Sequence, residues 1–166
     1  MRKIILAISL LITVNANAEP LAFRDIALGI SKDEAKESLG KYQLYDCNSF
    51  PFCDFQADIK GIFVKIVPIF SEDEKLETLA ISYYSNHYNK LKGALIEKYG
   101  KPNKVTKSTL QNGFGAQFTS QICTWRFKDG VIRISERVDI EKGLIAFESN
   151  SAIDRLKQYG KDKPGF

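Results

Sequence analysis

The sequence predicts an α+β fold in which two or three helices cover one face of an antiparallel sheet, and three stretches carry that prediction. Tyr88, Leu91, Ala94, Leu95 and Tyr99 fall at helical spacing and make one apolar stripe, with Lys90, Lys92, Glu97 and Lys98 largely off it. Leu76 to Tyr84 alternates instead, with Leu79, Ile81 and Tyr83 on one face and Ala80, Ser82 and Tyr84 on the other, as a half-buried strand does. Lys128-Asp129-Gly130-Val131 centres an Asp-Gly pair between two apolar runs, a strong short-range hairpin signal. Helices set apart from strands that fold back through short turns define the α+β class.

Residues 1–18 read as a secretory signal: Arg2 and Lys3, the apolar run Ile4 to Val14, then Ala16-Asn17-Ala18 as a small-residue cleavage site before Glu19. No later stretch reaches the roughly 18 apolar residues of a membrane-spanning helix. No cysteine stands at the cleavage site to carry a lipid. The expectation is a soluble exported chain without stable membrane insertion, periplasmic first and secreted second. Residues 19–166 have the length of one domain and enough chain for a hydrophobic core. Of the formal net charge of +4, Arg2 and Lys3 hold two units. The remainder lacks the dense basic stripe that nucleic-acid binding needs, so no nucleic-acid partner is expected.

Ser31 opens the first helix, with Glu34 three residues on as a capping box and Ile30 and Ala35 as a small staple; Gly40 stops it. Strands are predicted over Tyr42 to Cys47 and Phe52 to Ala57, on either side of a loop around Pro51. The next runs from Ile62 to Phe70, where Pro68 calls for an edge or a bulge. After the charged turn Ser71 to Lys75 comes the alternating strand, then the second helix, ended by Gly100 and Pro102. Strands resume near Val105, break at Asn112-Gly113-Phe114-Gly115, and continue from Gln117 to Phe127. A two-residue Asp129-Gly130 turn sets Phe127 opposite Ile132, Arg126 opposite Arg133 and Trp125 opposite Ile134. Leu144 to Glu148 is the last strand, and Ser151 caps a closing helix with Ile153 and Leu156 inward, ending at Gly160. Helix then antiparallel strands occurs twice, which invites division into similar halves, 19–85 and 86–166.

Leu28-Gly29-Ile30-Ser31-Lys32-Asp33-Glu34-Ala35, followed by Leu39-Gly40, resembles the opening motif of small envelope proteins of the SmpA/OmlA type. The tandem helix-plus-sheet order resembles the β-lactamase inhibitor protein fold. These resemblances imply a non-catalytic periplasmic module that binds another protein through a sheet face or loops. The chain departs from both: it lacks a lipidated cysteine, and its second half holds only Cys123 where the inhibitor pattern has a disulfide.

Catalytic signatures are sparse. The chain has no Gly-x-Ser-x-Gly elbow, no His-Glu-x-x-His, no phosphate loop and one histidine, His87, at a strand–helix junction. Glu72-Asp73-Glu74 lack the alternating spacing of a calcium loop and read as a solvated tip. No catalytic residue, metal site or cofactor is expected. Arg126 facing Arg133, with Arg137 on the same side, reads either as a solvated face matched by acids or as a patch for carboxylates. Phe114 between two glycines reads either as an anchor for a partner's cleft or as a ring folded back on the sheet.

Cys123 shares parity with Trp125 and points to the core. Cys47 and Cys53 face an oxidising compartment across a short loop and are expected to pair, with Cys123 bonding to either as the rival. The functional expectation is an exported, non-enzymatic protein-binding or inhibitor module of the bacterial envelope. An unrecognised periplasmic hydrolase and an envelope-assembly or stress factor are its alternatives.

Overall fold

The computed structural model describes residues 21–43, 49–111 and 113–162, with side chains as far as residue 159. The expected signal segment and Cys47 lie outside the described residues. Two short strands, β1 (Ala22–Phe23) and β2 (Ile26–Ala27), form a hairpin ahead of helix α1 (Lys32–Gly40). Seven strands follow: β3 (Phe55–Ile59), β4 (Ile62–Phe70), β5 (Leu76–Tyr84), β6 (Lys104–Gln111), β7 (Gln117–Arg126), β8 (Gly130–Ser135) and β9 (Lys142–Ser149). Helix α2 (Tyr88–Tyr99) stands between β5 and β6, and α3 (Asn150–Asp162) closes the described chain. The sheet is antiparallel throughout, in the order β3-β4-β5-β9-β8-β7-β6. It is therefore two meanders, each preceded by a helix, joined where β5 pairs with β9.

Helix α1 begins as the capping box requires. The Ser31 N–H donates to Glu34 Oε2 at 2.8 Å, the Glu34 N–H donates to Ser31 Oγ at 3.3 Å, and Ala35 and Leu39 are buried. Between β3 and β4, Lys60 and Gly61 both adopt left-handed backbone (φ 52° and 80°), the geometry of a tight two-residue hairpin. That turn fixes the register Ile59↔Ile62 and directs the N–H groups of Ile62, Val64 and Ile66 toward β3. The missing N–H of Pro68 falls on the same side, beyond the last paired position of β3, Phe55↔Ile66. A register shift follows at Ile69/Phe70, so a strand interior accommodates this proline beside a bulge.

Side chains of one parity build the core. Ile66, Ile81, Ile145 and Ile134 stand in one row across β4, β5, β9 and β8, all buried, and Pro68, Leu79, Phe147, Ile132 and Trp125 stand in the next. Leu91 and Leu95 of α2, Ala35 and Leu39 of α1 and Phe23 of β1 close over these rows in a single cluster. Burial on this scale is the main favourable term in folding.

The third helix takes the opposite face. Val131 and Ala146, which point outward, are buried together with Ala152 yet stand apart from the main cluster. Arg155 of α3 reaches buried Glu77 at the start of β5. Three expectations for this helix are corrected, the first being its end, since it runs through Gly160 to Asp162. Its cap is Ser149, whose Oγ accepts from the Ala152 N–H at 3.1 Å, and Leu156 is exposed. The periodicity was right for an amphipathic helix, but α3 docks through its first turn, where the end of β9 delivers it.

The hairpin register also differs from expectation. Arg126 pairs with Val131, Trp125 with Ile132 and Thr124 with Arg133, so Lys128-Asp129 makes the turn and Gly130 belongs to β8. Tertiary contacts override the local turn preference. A Cβ at Gly130 would lie 2.2 Å from the Glu148 carbonyl oxygen, so β9 can approach only a glycine there. Asp129 Oδ2 accepts from the Leu21 N–H at 2.6 Å, and Asn150 donates to the carbonyls of Lys128 and Asp129. The shift preserves parity, so Trp125, Ile132 and Ile134 are still buried.

Candidate functional site

The corrected register sets Arg126 and Arg133 diagonally across the β7–β8 pair in place of directly opposite. Arg133 lies across from Thr124 and Ala146, and its guanidinium forks onto the buried Glu148 carboxylate, Nε donating to Oε2 at 2.6 Å and a terminal nitrogen to Oε1. A two-point arginine–carboxylate contact satisfies both groups and leaves little of that fork for a ligand. Arg137 lies beyond the end of β8, its guanidinium 5.7 Å from the centre of the Phe118 ring. Its backbone is held both ways by the buried Ser120 hydroxyl, which accepts from the Arg137 N–H at 2.9 Å and donates to the Arg137 carbonyl at 2.8 Å. Arg126 remains an exposed side chain on β7. Arg133 is therefore engaged by Glu148, while Arg126 lies diagonal to it on the same face of the sheet.

Phe114 is 99% exposed at the tip between β6 and β7, where Gly115 takes φ +84°. Cys123 is a free, buried thiol, 3.4 Å from the Tyr88 hydroxyl, which in turn donates to Gln121 Oε1 at 2.9 Å. That placement sets aside the pairing of Cys123 with either other cysteine. Cys53 is buried and not free, and its expected partner Cys47 is outside the described residues. His87 ends a short 3-10 turn, Ser85–His87, half-buried. Among the described residues, no three acidic, histidine or cysteine side chains gather as a metal would require.

The feature that sequence reading did not single out is the outward face of β4. Phe63, Lys65, Val67 and Ile69 alternate with the buried Ile62, Val64, Ile66 and Pro68, and the outward set is apolar at three of four positions. An antiparallel sheet with one solvated face ordinarily presents polar residues there. Phe63 is 76% exposed. Small residues lie alongside it, since Lys65 faces Ser82 and Val67 faces Ala80 on β5, so the stripe stands above its neighbour.

Two hollows flank the stripe. One of about 600 Å³ is bounded by Pro51, Phe52, Val67, Ile69 and Glu74, with Phe52 itself 89% exposed. The other, about 290 Å³, lies among Gln56, Phe63, Lys65, Ser82, Tyr84 and Lys142. Lys65 is held at the stripe's midpoint by Asp54, 2.5 Å away, and Lys32 pairs with Glu74 at 2.8 Å across the rim of the larger hollow. An apolar ridge with exposed aromatics and a polar, charge-paired margin has the anatomy of a protein-contact surface. A signal for it was present in the sequence. The run Ile62 to Phe70 is apolar at both parities, which a strand facing solvent on one side does not need.

Comparison of the chain with protein-family models, with curated proteins and with solved structures gave no match.

Proposed function

We propose that the protein is an exported, non-enzymatic module of the bacterial envelope that binds another protein through the outward face of β4. The observation that carries this reading is the ridge of Phe63, Val67 and Ile69 on a sheet face where α3 covers other strands. Buried aromatic and aliphatic anchors supply most of the energy of such contacts, and a charge-paired rim supplies orientation. The partner is a folded protein with a complementary apolar surface, held in the manner of an inhibitor or an assembly factor.

The test is capture from periplasmic extract with the protein and with a Phe63→Ser/Ile69→Thr variant, both replaced side chains facing solvent. The variant keeps the thermal midpoint within a few degrees and loses the captured partner. If the protein captures no specific partner, or the variant captures the same one undiminished, the reading is wrong.

The same reading includes a Cys47–Cys53 disulfide that fixes the loop carrying Phe52 beside the ridge. Closing a loop of about seven residues contributes roughly 2.4 kcal/mol in the chain-entropy picture. Intact mass before and after reduction, with alkylation of free thiols, will find one free cysteine in the native chain and three after reduction; three free cysteines at the outset refute the bond.

A further inference from the structure

Beneath α2, on the face of the sheet opposite the ridge, lies a cavity of about 380 Å³. Its walls are Phe23, Ile81, Leu91, Leu95, Ile145 and Phe147, all buried and all apolar. The cause is legible in α2. The stripe Tyr88–Leu91–Leu95–Tyr99 carries large side chains at every position except Ala94, which lines the cavity and leaves the space open. The hollow opens to solvent on one side, so it is a cleft a solute can enter and not a sealed void. It falls within the size range of small-molecule sites.

The mouth has a different chemistry from the walls. Arg24, Lys60, Lys98 and Glu97 line it, and Glu97 is taken by Lys60. Arg24 sits in the β1–β2 turn at φ +56°, a left-handed conformation unfavourable for a residue with a Cβ. Its guanidinium is steadied by the Asp58 carbonyl and by the Phe23 and Tyr42 rings, each 5.6 Å away. The adjacent carboxylate, Asp25, is occupied by Lys41 at 2.5 Å and by the Tyr42 hydroxyl at 3.1 Å. Lys98 lies 4.9 Å from the centre of the Tyr99 ring. Neither Arg24 nor Lys98 has a carboxylate partner among the described residues. Apolar walls offer no partner for a polar solute, while two uncompensated cations at the opening favour a negative group.

We propose that this cavity binds a single-chain anionic amphiphile, a medium-chain fatty acid being the simplest, with its tail between α2 and the sheet and its carboxylate at Arg24 and Lys98. The ligand is a free molecule and not an acyl chain still in a bilayer. The site is separate from the β4 ridge, so neither proposal depends on the other.

Isothermal titration with dodecanoate below its micelle concentration tests it, with dodecyltrimethylammonium as the same tail on the opposite charge. Dodecanoate is expected to bind one to one and at least tenfold more tightly than the cation. Ala94→Phe fills the cavity, weakens dodecanoate at least tenfold and keeps or raises the thermal midpoint. Arg24→Ala/Lys98→Ala changes only exposed side chains, and it brings the two head groups to similar affinity. No binding of dodecanoate, equal binding of the two head groups by the unaltered protein, or retention of head-group preference in the double variant overturns the proposal. So does association with phosphatidylglycerol vesicles in the absence of dodecanoate binding, which marks a membrane-docking surface instead. Should Ala94→Phe fail to fold, the mouth variant decides alone.

Discussion

Tyr83 and Gly143 face each other across β5 and β9, and each explains the other. A Cβ at position 143 would lie 2.3 Å from Tyr83 Cζ, so only glycine lets the ring lie flat over β9 and its hydroxyl donate to the Ser135 carbonyl at 2.7 Å. Burial, with lesser contributions from Glu136 and Cys123, pushes the Tyr83 phenol well above its ordinary value of 10.0. Tyr88 is raised too, by burial first and then by its hydrogen bond with Cys123. A folded state that holds these protons more tightly than the unfolded chain gains stability that is complete below about pH 10. That stability is lost as the pH climbs from there through the folded values, because the unfolded chain has already released the protons. Urea midpoints measured between neutral pH and about pH 11 will therefore fall steeply above the ordinary tyrosine value. Tyr83→Phe lowers the midpoint at neutral pH through the lost hydrogen bond and makes the alkaline fall shallower. An unchanged alkaline slope in that variant removes Tyr83 as its source. Gly143 itself was illegible in the chain, since its partner is sixty residues away and glycine within a strand has many uses.

Elements specified by neighbours in sequence were readable, and those specified by distant contacts were not. Ser31 and Glu34 make their own cap, so the start of α1 follows from four residues. The stripe of α2 and its Gly100 stop likewise needed no tertiary information, and Gly100 takes a positive φ of 77° that a residue with a Cβ rarely adopts. The Asp129-Gly130 hairpin misled for the converse reason. Its glycine serves the approach of β9, and its aspartate serves Leu21, more than a hundred residues earlier. At α3, Glu77 lies beside the β5 bulge as a buried acid, and Arg155 meets it from the helix. The contact is one of charge more than of direction, since that carboxylate oxygen receives no well-angled hydrogen bond. Buried acids are costly without a cation, so Glu77 with Arg155 and Glu148 with Arg133 fix where α3 and its strands lie. No spacing rule couples residue 77 to residue 155. The arginine face was therefore visible as composition while its partners, and hence its availability to a ligand, were not. The ridge on β4 was obscured in the opposite sense, because an apolar run reads as core until the fold shows that, among the described residues, only one of its faces is covered.

Repetition of a helix followed by antiparallel strands was visible in the sequence, whereas the seam that joins the two meanders was not. β5 and β9 pair from Thr78↔Glu148 to Tyr84↔Lys142 after an excursion of nearly sixty residues, a contact that periodicity cannot predict. Along that seam Leu79 meets Phe147 and Ile81 meets Ile145, and one cluster of buried side chains runs from Phe55 on β3 to Trp125 on β7. A core shared in this way makes the meanders unfold together even though each has its own helix. Trp125, the only tryptophan, belongs to the second meander and is fixed by its Nε1–H donating to the Gly100 carbonyl at 2.8 Å. Ile66, fully buried on β4, belongs to the first. Ile66→Ala leaves a cavity that costs about 2–5 kcal/mol. With a common core, that loss appears in full in Trp125 fluorescence, although residue 66 lies on a different meander, and the fluorescence and far-ultraviolet circular dichroism midpoints move together in urea. If the fluorescence midpoint instead stays in place while the circular dichroism transition splits, the meanders are separate folding units and the β5–β9 seam is an interface between them.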